Sequence, residues 1–300
     1  MINNQSGINK TSLITTGING LVGSKFADLY KNKYNFDSLD VRDPDNPVDI
    51  RNYDQIISRL EKSDASTVIH LAAFTDVTTA WKQEGDKEGI AYQVNVVGTK
   101  NIVKACLQTK KKLIHISTSF VFDGENEGLY KETDPVKPIE WYGQTKTEAE
   151  EIVKESSIDW TILRIDKPFR SDPFMKIDIA HDIINKIKNN NLPPQFDNHF
   201  FGPTFIDDFA KVINFFVVNK HNGVFHATSG EKWSDYDFAC LINEKLNLKG
   251  KIEAGDLNEY LAKKNRPYQK NTALDCTKLK KIIDFELNSI PAAILQIQYS

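Results

Sequence analysis

Tyr142 and Lys146 stand four positions apart in Trp141-Tyr142-Gly143-Gln144-Thr145-Lys146, at the expected start of a helix. On a helix this spacing puts both side chains on one face. A phenol with an ordinary pKa of about 10 is a poor proton shuttle at neutral pH. A neighbouring ammonium stabilises the phenolate and lowers that value. Upstream, Ser117-Thr118-Ser119 ends a predicted strand, where open α/β sheets build their sites. Thr118 there is suited to hydrogen-bond a substrate oxygen held beside Tyr142. Tyr-x-x-x-Lys alone occurs often by chance, so the neighbouring motifs decide its meaning.

A second constellation lies near the start of the chain. Gly17-Ile18-Asn19-Gly20-Leu21-Val22-Gly23 is G-x-x-G-x-x-G between a predicted strand and a predicted helix. Glycine is required where backbone turns tightly and lets a pyrophosphate approach a helix N-terminus, whose N–H groups favour an anion. Asp40, 23 positions after Gly17, ends the next strand. A carboxylate there accepts hydrogen bonds from adenosine-ribose hydroxyls and favours NAD, whereas Arg42 offers a partner for the 2′-phosphate of NADP. The reading leans to NAD with NADP open. Asp49 is a candidate for the adenine amino group, with Ile50 packing on the ring.

The elements that must position these residues are legible from periodicity. Strands are expected at Ser12–Thr16, Phe36–Val41, Thr67–Ala73, from Leu113 toward Phe122, and at Trp160–Ile165. Helices are expected at Leu21–Tyr30, Tyr53–Leu60, Tyr92–Leu107 and Glu148–Glu155. This alternation predicts an α/β fold with a doubly wound parallel sheet, Rossmann-like. The division expected is a dinucleotide-binding domain over 1–167 and a mainly substrate-binding lobe over 168–300. A segment near 203–228, including a strand at Gly223–Thr228, is expected to return to the first domain. Prolines 168, 173, 193, 194 and 203 punctuate the second half, where helices are expected at Asp207–Val218, Ser234–Leu246, Thr277–Ile283 and Ile290–Gln296.

Composition excludes other classes. The 300 residues carry 38 basic and 41 acidic side chains, a formal net charge of -3, without the basic stripe of a nucleic-acid binder. The short run Lys110-Lys111-Lys112 reads as a solvated helix end. No apolar stretch reaches the roughly 18 residues a membrane span needs, and the start MINNQSGINK lacks the apolar core of a signal peptide. Three scattered cysteines fit neither a disulfide framework nor a zinc site. The expectation is a cytoplasmic enzyme without metal. Its partners would be a small-molecule substrate and a second copy of the chain in a homodimer, with no nucleic acid polymer and no membrane.

Taken in order, the glycine loop, His70-Leu71-Ala72-Ala73, Asn95, Ser117-Thr118 and Tyr142…Lys146 resemble the extended short-chain dehydrogenase/reductase family. The match is dense over about residues 10–170 and looser through Pro203-Thr204 and Arg266-Pro267. Ala72-Ala73-Phe74-Thr75, Ser117 to Phe122 and Tyr142-Gly143-Gln144-Thr145-Lys146 are most similar to the dTDP-4-dehydrorhamnose reductase branch. The resemblance implies NAD(P)H-dependent reduction of a nucleotide-linked 4-keto-6-deoxy sugar. It implies Thr118, Tyr142 and Lys146 as the catalytic set. It places Leu71, Ala72, Ala73 and Thr75 along the cofactor, and Asn95 behind the lysine through ordered water.

The sequence departs from that branch at two places. Ser117-Thr118-Ser119-Phe120 stands where Ser-Thr-Asp-Tyr is common, and Lys167 stands where a tryptophan is usual. Both fall at the expected sugar pocket, so Phe120, Lys167 and Arg266 are its candidates. A 4,6-dehydratase is disfavoured because no Asp-Glu pair follows Thr118. An NAD-dependent nucleotide-sugar 4-epimerase uses the same three residues and stays open. So does a non-catalytic regulatory subunit that keeps a dinucleotide site, although the intact catalytic set opposes it.

Overall fold

The computed structural model describes residues 10–263 and 266–299; the polar MINNQSGIN start lies outside them. The first half alternates strand and helix through β1 (Thr11–Thr16), α1 (Leu21–Tyr30), β2 (Tyr34–Leu39), α2 (Tyr53–Lys62) and β3 (Thr67–His70). It continues through α3 (Val77–Trp81), α4 (Ile90–Tyr92), a π-helical turn (Gln93–Gly98), α5 (Thr99–Thr109), β4 (Lys112–Thr118), a 3-10 turn (Ser119–Val121), α6 (Trp141–Lys154) and β5 (Trp160–Ile165). The second half carries β6 (Pro168–Phe169), α7 (Ile179–Lys188), β7 (Gln195–Phe196), β8 (Phe200–Phe201), β9 (Thr204–Phe205), α8 (Ile206–Val218) and β10 (Gly223–His226). β11 (Trp233–Ser234), α9 (Asp235–Lys245), β12 (Ala254–Gly255), α10 (Leu257–Leu261), α11 (Thr277–Lys280) and α12 (Ile290–Ile294) complete it.

The main sheet has the order β10-β5-β4-β3-β1-β2, and all its pairings are parallel. Parallel strands covered on both faces need apolar residues at successive positions. Leu13 and Ile14 show this, since adjacent residues of β1 belong to different buried clusters. One face packs on Phe26 of α1 and Phe209, Ile213 and Phe216 of α8. The other packs on Ile56 and Leu60 of α2, Ile102 of α5 and Val153 of α6. The order reverses at β1, so the carboxyl ends of β1 and β3 flank a crevice where ligands bind in such sheets. β10 continues the sheet beside β5, and α8 lies against α1. A third cluster, with Phe169, Ile183, Ile184, Phe201, Phe238, Ile242 and Ile294, holds α7, α9 and α12 together.

Several boundaries differ from the sequence reading. β3 stops at His70 and β4 at Thr118. After β3, Leu71, Ala72 and Ala73 leave the ladder to line a cleft; after β4, Phe120 lines it while Ser119, Val121 and Phe122 are buried. α6 begins at Trp141, because the Glu140 side chain accepts from the N–H groups of both Tyr142 and Gly143. α7 was not expected at all, despite its Asp178 cap and its apolar Ile183, Ile184 and Ile187 at helical spacing. The lysine run is not a solvated helix end. Lys110 takes the left-handed position that closes α5, with φ 55°. Lys111 is buried and donates to Ser63 O and Ala65 O, while Lys112 donates to Phe216 O and Asn219 O.

Candidate active site

A cavity of about 670 Å³ opens at the carboxyl ends of β1 to β5, within the range that holds a small-molecule ligand. The β1–α1 turn forms one wall. Gly17 has φ +65°, and a Cβ there would lie 2.6 Å from Ala72 N, so only glycine serves. Gly20 caps α1 without a side chain, and the first turn holds no acidic residue. The leading amides of α1 are therefore left without an internal acceptor, beside a cavity lined by Gly20, Leu21, Val22 and Gly23.

Asp40 is buried at the end of β2. Its carboxylate accepts from Asn19 N at 3.0 Å and from Arg42 N at 2.9 Å, tying the glycine turn to the second strand. Asn19 itself turns outward and does not line the cavity, whereas Asp40, Arg42, Asp49 and Ile50 do. Asp49 is clamped by Arg51 at two oxygens, and this hydrogen bonding holds its carboxyl below the usual range. Two residues that the sequence reading did not single out, Lys176 and Ile177, reach this rim from the segment before α7. Lys176 Nζ donates to Thr75 Oγ1 at 2.6 Å across the cleft. Burial, then the nearby Arg42, lowers its pKa.

The β3 end is set by a buried chain of hydrogen bonds. Thr99 Oγ1 donates to Asn95 O at 2.6 Å, so His70 Nε2, 3.0 Å away, must donate to Thr99. His70 Nδ1 then accepts from Thr16 Oγ1 at 2.7 Å. Thr16 in turn accepts from Ala72 N at 3.1 Å. Burial lowers the His70 pKa to about 3, so the imidazole is neutral and the chain has one polarity. It fixes Leu71, Ala72 and Ala73 against the cavity. Asn95 is buried and does not line the cavity. Its amide is spent on both backbone groups of Phe74 and on Thr145 Oγ1, behind the wall rather than on it.

Thr118, Tyr142 and Lys146 converge on this cavity. Gly143 lets α6 dock, since a Cβ there would come within 2.2 Å of Phe120 O. Phe120 packs edge-on against Tyr142 with ring centres 5.7 Å apart. Burial raises the Tyr142 pKa strongly; a hydrogen bond with Thr118 opposes this, while Glu140 and Asp166 reinforce it. The lowering expected from the Tyr–Lys spacing is not found: the value is raised, and the group that opposes the rise is Thr118, not Lys146. Lys146 Nζ donates to Ile116 O at 2.8 Å and lies 3.3 Å from His115 Nε2. Burial lowers its pKa to about 8.

Past these three residues, the end of β5 delivers Asp166 and Lys167 to the cavity wall. Asp166 is buried, which raises its pKa, and its Oδ2 accepts from Gly202 N and Thr272 Oγ1. Lys167 holds a left-handed backbone at φ 38° and points its ammonium toward the Phe201 ring, 5.8 Å from its centre. Arg266 lies outside the cavity lining, where it donates to Thr78 Oγ1 and faces Tyr268. Asp166 and Glu140 carried no motif. Glu140, the side-chain cap of α6, stands two positions before Tyr142, and Asp166 directly precedes Lys167 after β5, so both adjoin expected site residues in the chain.

A model of the RmlD substrate binding domain family matches residues 11–297. The dTDP-4-dehydrorhamnose reductase of Aggregatibacter actinomycetemcomitans is 28% identical, over 95% of this chain and 98% of that protein. Methionine adenosyltransferase 2 subunit beta of Bos taurus is 28% identical over 64% of this chain and 58% of its own length. The solved structure of a dTDP-4-dehydrorhamnose reductase from Clostridium acetobutylicum superposes with a TM-score of 0.84 at 26% identity, covering 95% of this chain and 98% of that one. One from Bacillus anthracis, in complex with NADP, superposes with a TM-score of 0.85 at 24% identity, covering 95% and 97%.

Proposed function

The chain belongs to the RmlD substrate binding domain family, and from that premise we propose that it is an NAD(P)H-dependent reductase of a nucleotide-linked 4-keto-6-deoxy sugar, similar in substrate to the dTDP-4-dehydrorhamnose reductases. The observation that carries this reading is the convergence of Thr118, Tyr142 and Lys146 on the cavity that the glycine turn also lines.

The residues present fit a dinucleotide. The uncapped first turn of α1 suits a pyrophosphate. Asp40 offers its carboxylate to the adenosine ribose. Arg42 and Lys176 offer cations to a 2′-phosphate. Asp49 and Ile50 flank the adenine, and Leu71 to Ala73 and Thr75 border the path to Lys146. When bound, the nicotinamide supplies the hydride for the ketone carbon.

Tyr142 gives its phenolic proton to the carbonyl oxygen; burial keeps that proton on at neutral pH until the oxygen becomes basic. Thr118 Oγ1 accepts from Phe120 N at 3.3 Å, and its own proton, which faces the Tyr142 oxygen, is placed to polarise the same carbonyl. Lys146 has an N–H beyond those turned to Ile116 and His115, directed in this proposal to the nicotinamide ribose. Its charge stabilises the phenolate that Tyr142 becomes. Asn95 acts at one remove, holding Phe74 and Thr145. Phe120 and Lys167 are proposed to border the sugar, and Arg266, outside the cavity lining, to contact the diphosphate. The lobe after residue 167, apart from α8 and β10, is proposed to hold that sugar.

The assay is NADH and NADPH oxidation with a dTDP-4-keto-6-deoxy sugar. Turnover with either dinucleotide supports the reading. Dinucleotide binding without turnover across a panel of keto sugars contradicts it and favours a regulatory subunit, and tightly retained NAD favours an epimerase.

A further inference from the structure

His115 is buried within β4, opposite His70 in the β3–β4 register, and has no part in the steps above. Its Nε2 lies 3.3 Å from Lys146 Nζ, and its Nδ1 has no partner. An ammonium has donors only, so Nε2 must be the accepting nitrogen and the ring proton sits on Nδ1. Burial holds the His115 pKa well below its ordinary value, with Lys146 and His70 adding to the effect, so the ring is a neutral acceptor. The remaining acceptor on Lys146 is Ile116 O at 2.8 Å. Two of the three N–H groups of Lys146 are therefore turned to β4, and their directions fix the third.

We propose that His115 is a positioning residue, a neutral imidazole that aims the Lys146 ammonium and keeps it protonated inside the protein. The proposal rests on the reductase reading for its effect on turnover, but its effect on Lys146 itself does not. A buried ammonium that loses one of two acceptors gives up its proton more readily. The charged groups around it are Glu150 on its own helix, which favours the ammonium, and Lys154 and Arg164, both bound to Glu150. From the sheet come the neutral His70 and, on β5, Asp166, whose charge reaches Tyr142. None of these offers Lys146 a substitute hydrogen bond.

The test compares His115→Phe, which keeps a ring but removes the acceptor, with His115→Gln, whose side-chain oxygen can replace Nε2. Lys146 is titrated by NMR in the cofactor-free protein labelled with [13C]lysine, and the pH profile of kcat is measured with NADPH and keto sugar. In His115→Phe the Lys146 pKa is expected to fall by about one unit, a tenfold change in its proton affinity. The alkaline limb of kcat should move acidward with it, and His115→Gln should restore both. An unchanged Lys146 titration in His115→Phe overturns the proposal, as does equal impairment in Phe and Gln variants of wild-type melting temperature. A wild type that shows the titration difference but no turnover would leave the positioning intact and refute the reductase reading instead.

Discussion

Glu150 and Arg164 form a two-point ion pair inside the protein: Arg164 Nε donates to Oε1 at 2.8 Å and Nη2 to Oε2 at 2.6 Å. The pair joins α6, which carries Tyr142 and Lys146, to β5, which delivers Asp166 and Lys167. Ser117 Oγ, one residue before Thr118, donates to the same Oε1 at 2.6 Å. β4, β5 and α6 are thus fastened at one carboxylate, and β4 and α6 carry Thr118, Tyr142 and Lys146. Burial works to raise the Glu150 pKa, but Arg164 and Lys154 outweigh it and hold the value at about 2.

Removing this carboxylate strands a buried guanidinium. Glu150→Leu is expected to cost about 3–5 kcal/mol of stability, the usual range for breaking a buried pair on one side, measured by urea unfolding. Because the folded pKa lies below the unfolded one, the stabilisation is full above pH about 4.5 and is lost as pH falls toward about 2. The variant should lose the part of the acid-unfolding transition that falls in that window. An unchanged acid transition would show that the pair does not couple to folding.

Glu140 behaves in the opposite sense. Burial raises its pKa to about 7, although it accepts from Gly143 N at 2.7 Å and Tyr142 N at 3.0 Å. The folded state binds the proton more tightly, so stability falls as pH rises from about 4.5 to about 7. The span, 4.5 to about 7, sets a ceiling of about 3 kcal/mol. In Glu140→Gln, melting temperature relative to wild type is expected to improve from pH 5 to about pH 7 and to level off above it. A difference flat with pH would mean that Glu140 does not titrate there.

Much of this was legible beforehand, and what was not has identifiable causes. The glycine turn, Asp40 and the Tyr142–Lys146 spacing are local patterns, and the strand–helix alternation fixed the sheet around them. α7 was missed although Asp178 and the isoleucines signalled it, because the flanking prolines suggested short pieces. The lysine run misled because position in sequence does not show that Lys111 and Lys112 reach carbonyls 46 and 104 positions away. Lys176 sits at the site only through tertiary packing, and no spacing rule marks such a residue, whereas Glu140 and Asp166 adjoin Tyr142 and Lys167 in the chain but match no motif.

Dinucleotide selectivity follows from the rim. Arg42 and Lys176 line the cavity together with Asp40, at the end proposed for the adenosine. The double substitution Arg42→Ala, Lys176→Ala is expected to weaken NADPH about tenfold, the scale of one or two exposed charge contacts, with NADH nearly unchanged. Fluorescence titration of both dinucleotides checks this. Equal weakening of the two would remove these cations from phosphate recognition.

Tyr142 is expected to act on the proton alone. Tyr142→Phe should lower kcat by about 10²–10⁴, the range for a lost general acid, while calorimetry gives an unchanged dinucleotide affinity. Turnover that survives the substitution undiminished would take Tyr142 out of the mechanism.

The central claim is direct reduction of a nucleotide-linked 4-keto sugar at this cavity, and transfer of deuterium from [4,4-2H2]NADPH and [4,4-2H2]NADH measures it most directly. With dTDP-4-keto-6-deoxy sugar as acceptor, the product is expected to carry one deuterium on the sugar carbon that was the ketone, at a rate that collapses in Tyr142→Phe. Unlabelled sugar, or bound dinucleotide with no product from either cofactor, would contradict the account.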